Sequence, residues 1–229
     1  MAAGPLLSKA GLTLEEIRDP ARRIKVGDQI RFLNLAARAL KDEFLGFNLA
    51  MQVDFRELGL FYYVLASSAN LKEALERGTH YSEIVNEGVT QELHSRNHHR
   101  VLVRYHGVSR HLDRHQIEFW MAALVRMCRE LSGHRIVPKH VRFVHIRHGD
   151  HARFARIFGD DVKFGASVDE IVLRWISSRY LLSVLTLIST SCWSNIANKL
   201  WPIVREKLAH SSHTSKMPSF PCCRTARPR

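Results

Sequence analysis

Histidine is the residue type in this chain with the most evident chemical potential. Twelve of its 14 histidines fall within residues 1–173. His94 and His98 stand four residues apart, as do His111 and His115, while His145, His148 and His151 surround a His-Gly-Asp sequence. Metal sites favour such groupings. Four-residue spacing converges on a helix face, but residues 94–115 read mostly as hairpin and loop, where it does not. The expectation is solvated surface histidines that titrate near neutrality, with no metal site. Cys128 sits beside Met127 in an apolar helical run, with no associated base. It is expected as a small hydrophobe of the core and not as a nucleophile. The chain has no glycine-rich phosphate loop, nucleophile elbow or paired-carboxylate signature. No catalytic residue and no cofactor follows from the sequence, which speaks against an enzyme.

The aromatic group Phe61, Tyr62, Tyr63, Phe119 and Trp120 has a second possible use. Ligand pockets are largely apolar with a few polar groups. Consecutive aromatics on one helix cannot all face one core, so part of Phe61-Tyr62-Tyr63 is free to meet a cavity or a dimer partner. The simpler expectation is core packing, and no ligand contact is named.

The elements that must position these residues follow from pattern. Thr13 and Glu16 have capping-box spacing and start a short helix that Asp19-Pro20 ends. Asp28 is read as the cap of the next helix, with Ile30, Leu33, Leu35, Ala36 and Leu40 on its apolar face. Phe44 to Met51 continues the helical layer after a break at Gly46. Gly59 opens a helix through Leu65. Asn70 caps another, whose buried stripe is Leu71, Ala74, Leu75, Tyr81 and Ile84. The period then changes to two. Val89, Gln91 and Leu93 alternate, as do Val101, Val103 and Tyr105, with a turn at 95–99 between them, which reads as an antiparallel hairpin. Residues 116–131 return to helix, with Phe119, Trp120, Ala123, Leu124, Met127 and Leu131 on the buried side and Ser132-Gly133 closing it. Strands are expected at 141–146, 162–164 and 171–173, and a helix at 152–158. This order predicts an α+β domain: a helical N-terminal layer on a small mixed sheet with a hairpin.

Composition changes abruptly after Leu173. Of 34 basic and 22 acidic residues, 174–229 holds nine and one, so this segment supplies +8 of the formal +12. It also holds Trp175, Trp193 and Trp201, and Cys192, Cys222 and Cys223. Residues 1–173 are nearly balanced, so a pI near 10.0 is no argument that they bind nucleic acid. Their single cysteine fits a reducing, cytoplasmic compartment. The N-terminus lacks the charge and apolar pattern of a secretory signal.

The ordered stretches GLTLEEIRDPARRIKV, LGLFYYVLASSANLKEALERGTHYSEIVNEGV, IEFWMAALVRMCRELSG, PKHVRFVH and ARIFGDDVKFGASVDEIVL resemble the N-terminal, arabinose-binding-like domain of AraC-type transcription regulators. The resemblance covers residues 11–173. It implies a domain that senses a small molecule and dimerises, followed in such regulators by two helix-turn-helix units that enter successive major grooves. Residues 174–229 show no paired helix-turn-helix pattern and form an atypical, irregular basic tail. The expectation is a truncated regulator whose tail is a frameshift product. A one-base shift after Leu173, with permitted codons, reads as an Asp-Pro helix start followed by an amphipathic helix. Such a chain would not read an operator specifically. Its expected partners are an unidentified small-molecule effector and a second copy or a full-length relative. Two alternatives stand beside this reading: a stand-alone ligand-binding or interaction module, and a protein tethered to a membrane by residues 180–201. The second is disfavoured because Ser183, Ser189, Thr190, Ser191, Ser194 and Asn195 dilute the apolar run below the ~20 residues a span needs.

Overall fold

A computed structural model describes residues 3–19, 22–82, 86–109, 111–149 and 152–174. The tail from 175 onward, with its Trp, Cys and candidate span 180–201, lies outside the described residues, as do Ile84 and His151.

The chain begins with four helices, α1 (Ala3–Ala10), α2 (Leu14–Arg18), α3 (Val26–Leu40) and α4 (Leu45–Gln52). A 3-10 turn at Phe55–Leu58 leads to α5 (Leu60–Ala66) and α6 (Leu71–His80). The hairpin β1 (Val89–Ser95) and β2 (His99–Tyr105) precedes the long helix α7 (Arg114–Ser132). The chain ends on β3 (His140–Arg142), α8 (Ala152–Phe158), β4 (Val162–Lys163) and β5 (Asp169–Leu173). The strands form one five-stranded mixed sheet in the order β1-β2-β5-β3-β4, antiparallel except for the β3–β4 pair. The protein is an α+β fold, as its sequence pattern implies.

The local signals explain most boundaries. Thr13 Oγ1 accepts from the Glu16 amide while the Glu16 carboxylate accepts from the Thr13 amide, which satisfies two orphan donors of α2. Asn70 accepts from the Glu73 amide at the start of α6. Gly133, at φ 66°, ends α7 in the left-handed conformation that glycine adopts without a Cβ penalty. The hairpin register pairs Val89 with Tyr105, Gln91 with Val103 and Leu93 with Val101. The apolar alternation therefore falls on one sheet face, continued by Ile171 and Val141.

Four expectations are corrected. Gly46 is not a break: α4 runs through it, because the glycine is where α4 and the N-terminus of α7 touch. Asp28 is not the cap of α3, which starts at Val26; it lies in the first turn, where its carboxylate favours the helix dipole and pairs with Arg31 at 3.3 Å. The strand expected at 141–146 is three residues long, since the chain leaves the sheet after Arg142. Tyr81 is 38% exposed and does not extend the buried stripe of α6. α1 carries no recognisable signal beyond Leu6, Leu7 and Ala10, which are buried.

The centre of the domain is α7. Ile117, Met121 and Val125 are wholly buried, and the helix is covered on more than one side. Near the β3 end of the sheet lies an aromatic cluster. Phe143 stacks on Phe164 at 5.1 Å, and Phe47 meets Phe154 at 4.9 Å. The α5–α6 layer and the hairpin approach the other side of α7, and packing there is incomplete.

Candidate ligand-binding cavity

The incomplete packing is a cavity of about 130 Å³. Its walls come from four places: Phe55 and Leu58 of the 3-10 turn, Phe61 and Leu65 of α5, Leu71 to Thr79 of α6, and Val89, Gln91 and Val101 of the hairpin. α7 adds a further wall, the stripe Phe119, Trp120, Ala123, Leu124, Met127 and Leu131. These six are the residues whose spacing marks the apolar side of that helix. The structure corrects what they face. The wholly buried row is Ile117, Met121, Ala122 and Val125, while Phe119, Trp120, Ala123 and Leu124 are only half-buried because a space lies in front of them. Among the described residues, no lysine, arginine, histidine, aspartate or glutamate lines the cavity.

Of the five aromatics singled out in the sequence, Phe61, Phe119 and Trp120 converge on this space. Tyr62 and Tyr63 do not. The Tyr62 hydroxyl donates to Glu130 Oε1 at 3.1 Å, and the two tyrosine rings meet edge to face at 5.5 Å. Burial and the facing Glu130 carboxylate push the Tyr62 phenol up to about 12. Cys128 is 2% exposed and also touches the cavity. Burial drives its thiol up to about 12, far from the thiolate that chemistry needs.

The histidines divide in two. His94 and His111 are exposed, as is His148. His98 lies in the hairpin turn, its Nε2 3.0 Å from Lys139 Nζ. His94 and His98 border a surface cleft with Arg96, Arg100, Lys139 and His140, where Glu170 accepts from Arg100 and His140. The solvated reading fails for His99, His115 and His145, which are 0%, 7% and 2% exposed. His115 is already helical, one position before the expected helix start, and burial pulls its imidazole down to about 4. His145 packs against both Phe143 and Phe164 and pairs through Nε2 with Glu118 Oε1 at 3.0 Å. No group of three or more metal-holding side chains occurs among the described residues.

Glu118 is the residue that periodicity missed. It is 0% exposed on α7, between Ile117 and Phe119. Arg147 Nη1 donates to its Oε1 at 2.8 Å and reaches the Glu43 carbonyl. The Arg147 guanidinium lies 4.0 Å over the Phe44 ring. This buried ion pair ties the loop after β3 to α7 and to the start of α4. The sequence signal is faint: an acidic residue inside an apolar helical run, which burial requires to be paired.

Residues 1–176 match the family described as the arabinose-binding domain of AraC transcription regulators, N-terminal. The chain belongs to the AraC N-terminal domain family. A separate comparison with curated proteins finds no match. The AraC family assignment fits a ligand-sensing regulatory domain, and the family is described by binding and not by catalysis. In this AraC domain the match ends three residues beyond β5, whose last residue is Leu173. No helix among the described residues is long and apolar enough to cross a membrane.

Proposed function

We propose that residues 11–173 form the effector-binding unit of an AraC-type regulator and that the cavity facing α7 holds the effector. The observation that carries this is the cavity itself. Domain cores are packed to near crystal density, with few voids larger than water, yet here a whole helix stripe faces open space in a family described by ligand binding. The walls come from separate elements: α5–α6, the hairpin and α7. A ligand between them links motions of the helical layer to the sheet, which is what a regulatory domain requires.

The test uses the purified full chain. Small molecules released on denaturation are identified by mass spectrometry, and the same fraction is added back in a thermal melt. A retained compound that raises the melting temperature supports the reading. Failure of every fraction of a cell extract to shift the melt would remove it.

The domain is further proposed to act with a second copy or a full-length relative, and not to read operator DNA by itself. Co-expression with an intact relative is expected to lower that relative's reporter output through inactive heterodimers. Unchanged output at high expression counts against this pairing. An operator shift by this chain at physiological salt would contradict the loss of base readout.

A further inference from the structure

We infer that the cavity selects an uncharged hydrocarbon moiety of about benzene's size, a single ring or a short aliphatic chain, and rejects a sugar. This rests on the effector-site reading above and specifies its chemistry. Three observations carry it.

The first is charge. With no ionisable Asp, Glu, His, Lys or Arg side chain among the described residues of the wall, a carboxylate, phosphate or ammonium inside would find no counter-charge there and would lose its hydration.

The second is the state of the polar groups that are present. The Thr79 hydroxyl donates to the Leu75 and Glu76 carbonyls, and the Ser82 hydroxyl to the Thr79 carbonyl. Asn86 Oδ1 accepts from the Gly88 amide at 2.9 Å, and Gln116 Oε1 accepts from Gln29 Nε2 at 3.2 Å. These bonds are already made, all but the Gln29–Gln116 bond within a few residues of chain. That leaves unused amide hydrogens on the carboxamides of Gln91, Asn86 and Gln116 as the polar groups of the described lining, fewer groups than the hydroxyls of a sugar. A pentose presents four hydroxyl-bearing positions. Each hydroxyl buried without a partner costs roughly tenfold or more in affinity.

The third is size and lining. At about 130 Å³, the space is close to the ~150 Å³ cavity lined by Leu, Ile and Phe that stays dry and takes up benzene or xenon. Here Phe61, Leu65, Phe119, Trp120, Leu124 and Met127 supply the same kind of surface. Aromatic walls and a deformable thioether accept ring or chain without a dedicated donor.

The test is a thermal melt of the full chain with toluene, 1-hexanol and L-arabinose, each titrated to its solubility or to 50 mM, on the order of the millimolar affinities expected for small fragments. Two variants fill the space, Ala123→Leu from α7 and Ala74→Leu from α6, so that one failing to fold leaves the other. The expected result is a dose-dependent rise of about 2–5 °C with toluene and 1-hexanol as concentration passes Kd. The rise is absent in a folded filling variant, and L-arabinose gives none. Binding of L-arabinose that the filling variants abolish overturns the hydrocarbon assignment and leaves the site standing. Shifts that persist in the filling variants, or no shift with any of the three probes, overturn the hydrocarbon assignment together with the cavity as a binding site.

Discussion

A Cβ placed on Gly46 would stand 1.8 Å from the carbonyl oxygen of His115. The contact is backbone against backbone, where α4 crosses the first turn of α7. No rotamer change can relieve it, so the helices would have to separate. Gly46→Ala is expected to lose about 3 kcal/mol or more, at the upper end of overpacking costs. A urea titration followed by far-ultraviolet circular dichroism measures this, and an unchanged midpoint would refute the close approach.

Gly78 behaves in the opposite way. It lies inside α6, and an added Cβ would meet only Leu65 Cδ2 at 3.5 Å, an ordinary contact. Gly78→Ala removes backbone entropy from the unfolded chain without a clash. A gain of about 0.5–1 kcal/mol is expected in the same titration. A loss of stability would mean that the wall at Gly78 is tighter than described.

The Glu118–Arg147 pair predicts strong non-additivity. Glu118→Gln leaves the nearly buried Arg147 guanidinium without its carboxylate and is expected to cost about 3–5 kcal/mol. Glu118→Leu combined with Arg147→Leu removes both charges and is expected to be much less damaging than the two single changes added together. Simple additivity in a double-mutant cycle would show that the pair is not coupled.

His115 sets a pH dependence. Its folded pKa is pulled down to about 4 from 6.5 chiefly by burial, with Arg114 and Arg147 lowering it further and Glu118 and Asp42 opposing. Between those values the unfolded chain takes up a proton that the folded chain does not. The contribution is therefore complete above pH 6.5 and is lost as pH falls toward 4. A loss of about 2 kcal/mol between pH 7 and 5 is expected from this group. Burial shifts His99 in the same direction. His115→Gln should flatten the slope of stability against pH over that window, and an unaltered slope would assign the effect elsewhere.

The basic segment 174–229 carries a genetic prediction. Sequencing the coding DNA across codons 165–229 and about a hundred codons beyond is expected to find a frame, one base out of register after Leu173, that ends in two helix-turn-helix units. If no such frame is found, the tail is the protein's own, and its basic and apolar character needs its own binding partner.

Most of the fold was legible because its signals are local. The Thr13–Glu16 box, the Asn70 cap, Gly133 and the hairpin alternation each act within a few residues, and each occurs where it was read. The failures arose where a distant element decided. Gly46 resembles a helix breaker until α7 is seen against it. His115 and His145 resemble surface histidines until α4 and the aromatic cluster cover them.

The candidate site shows the division most clearly. Spacing alone puts Phe119, Trp120, Ala123, Leu124, Met127 and Leu131 on one apolar side of α7, because helical periodicity is a property of the chain. The order of the patterned stretches likewise carries the family resemblance, which the match over residues 1–176 bears out. That this side faces a space instead of packed core, and that Phe61 joins it while Tyr62 and Tyr63 do not, depends on how the distant elements pack. Hydrophobicity records that a surface leaves water, but whether another side chain or a void meets it depends on how far apart the remaining elements hold their backbones.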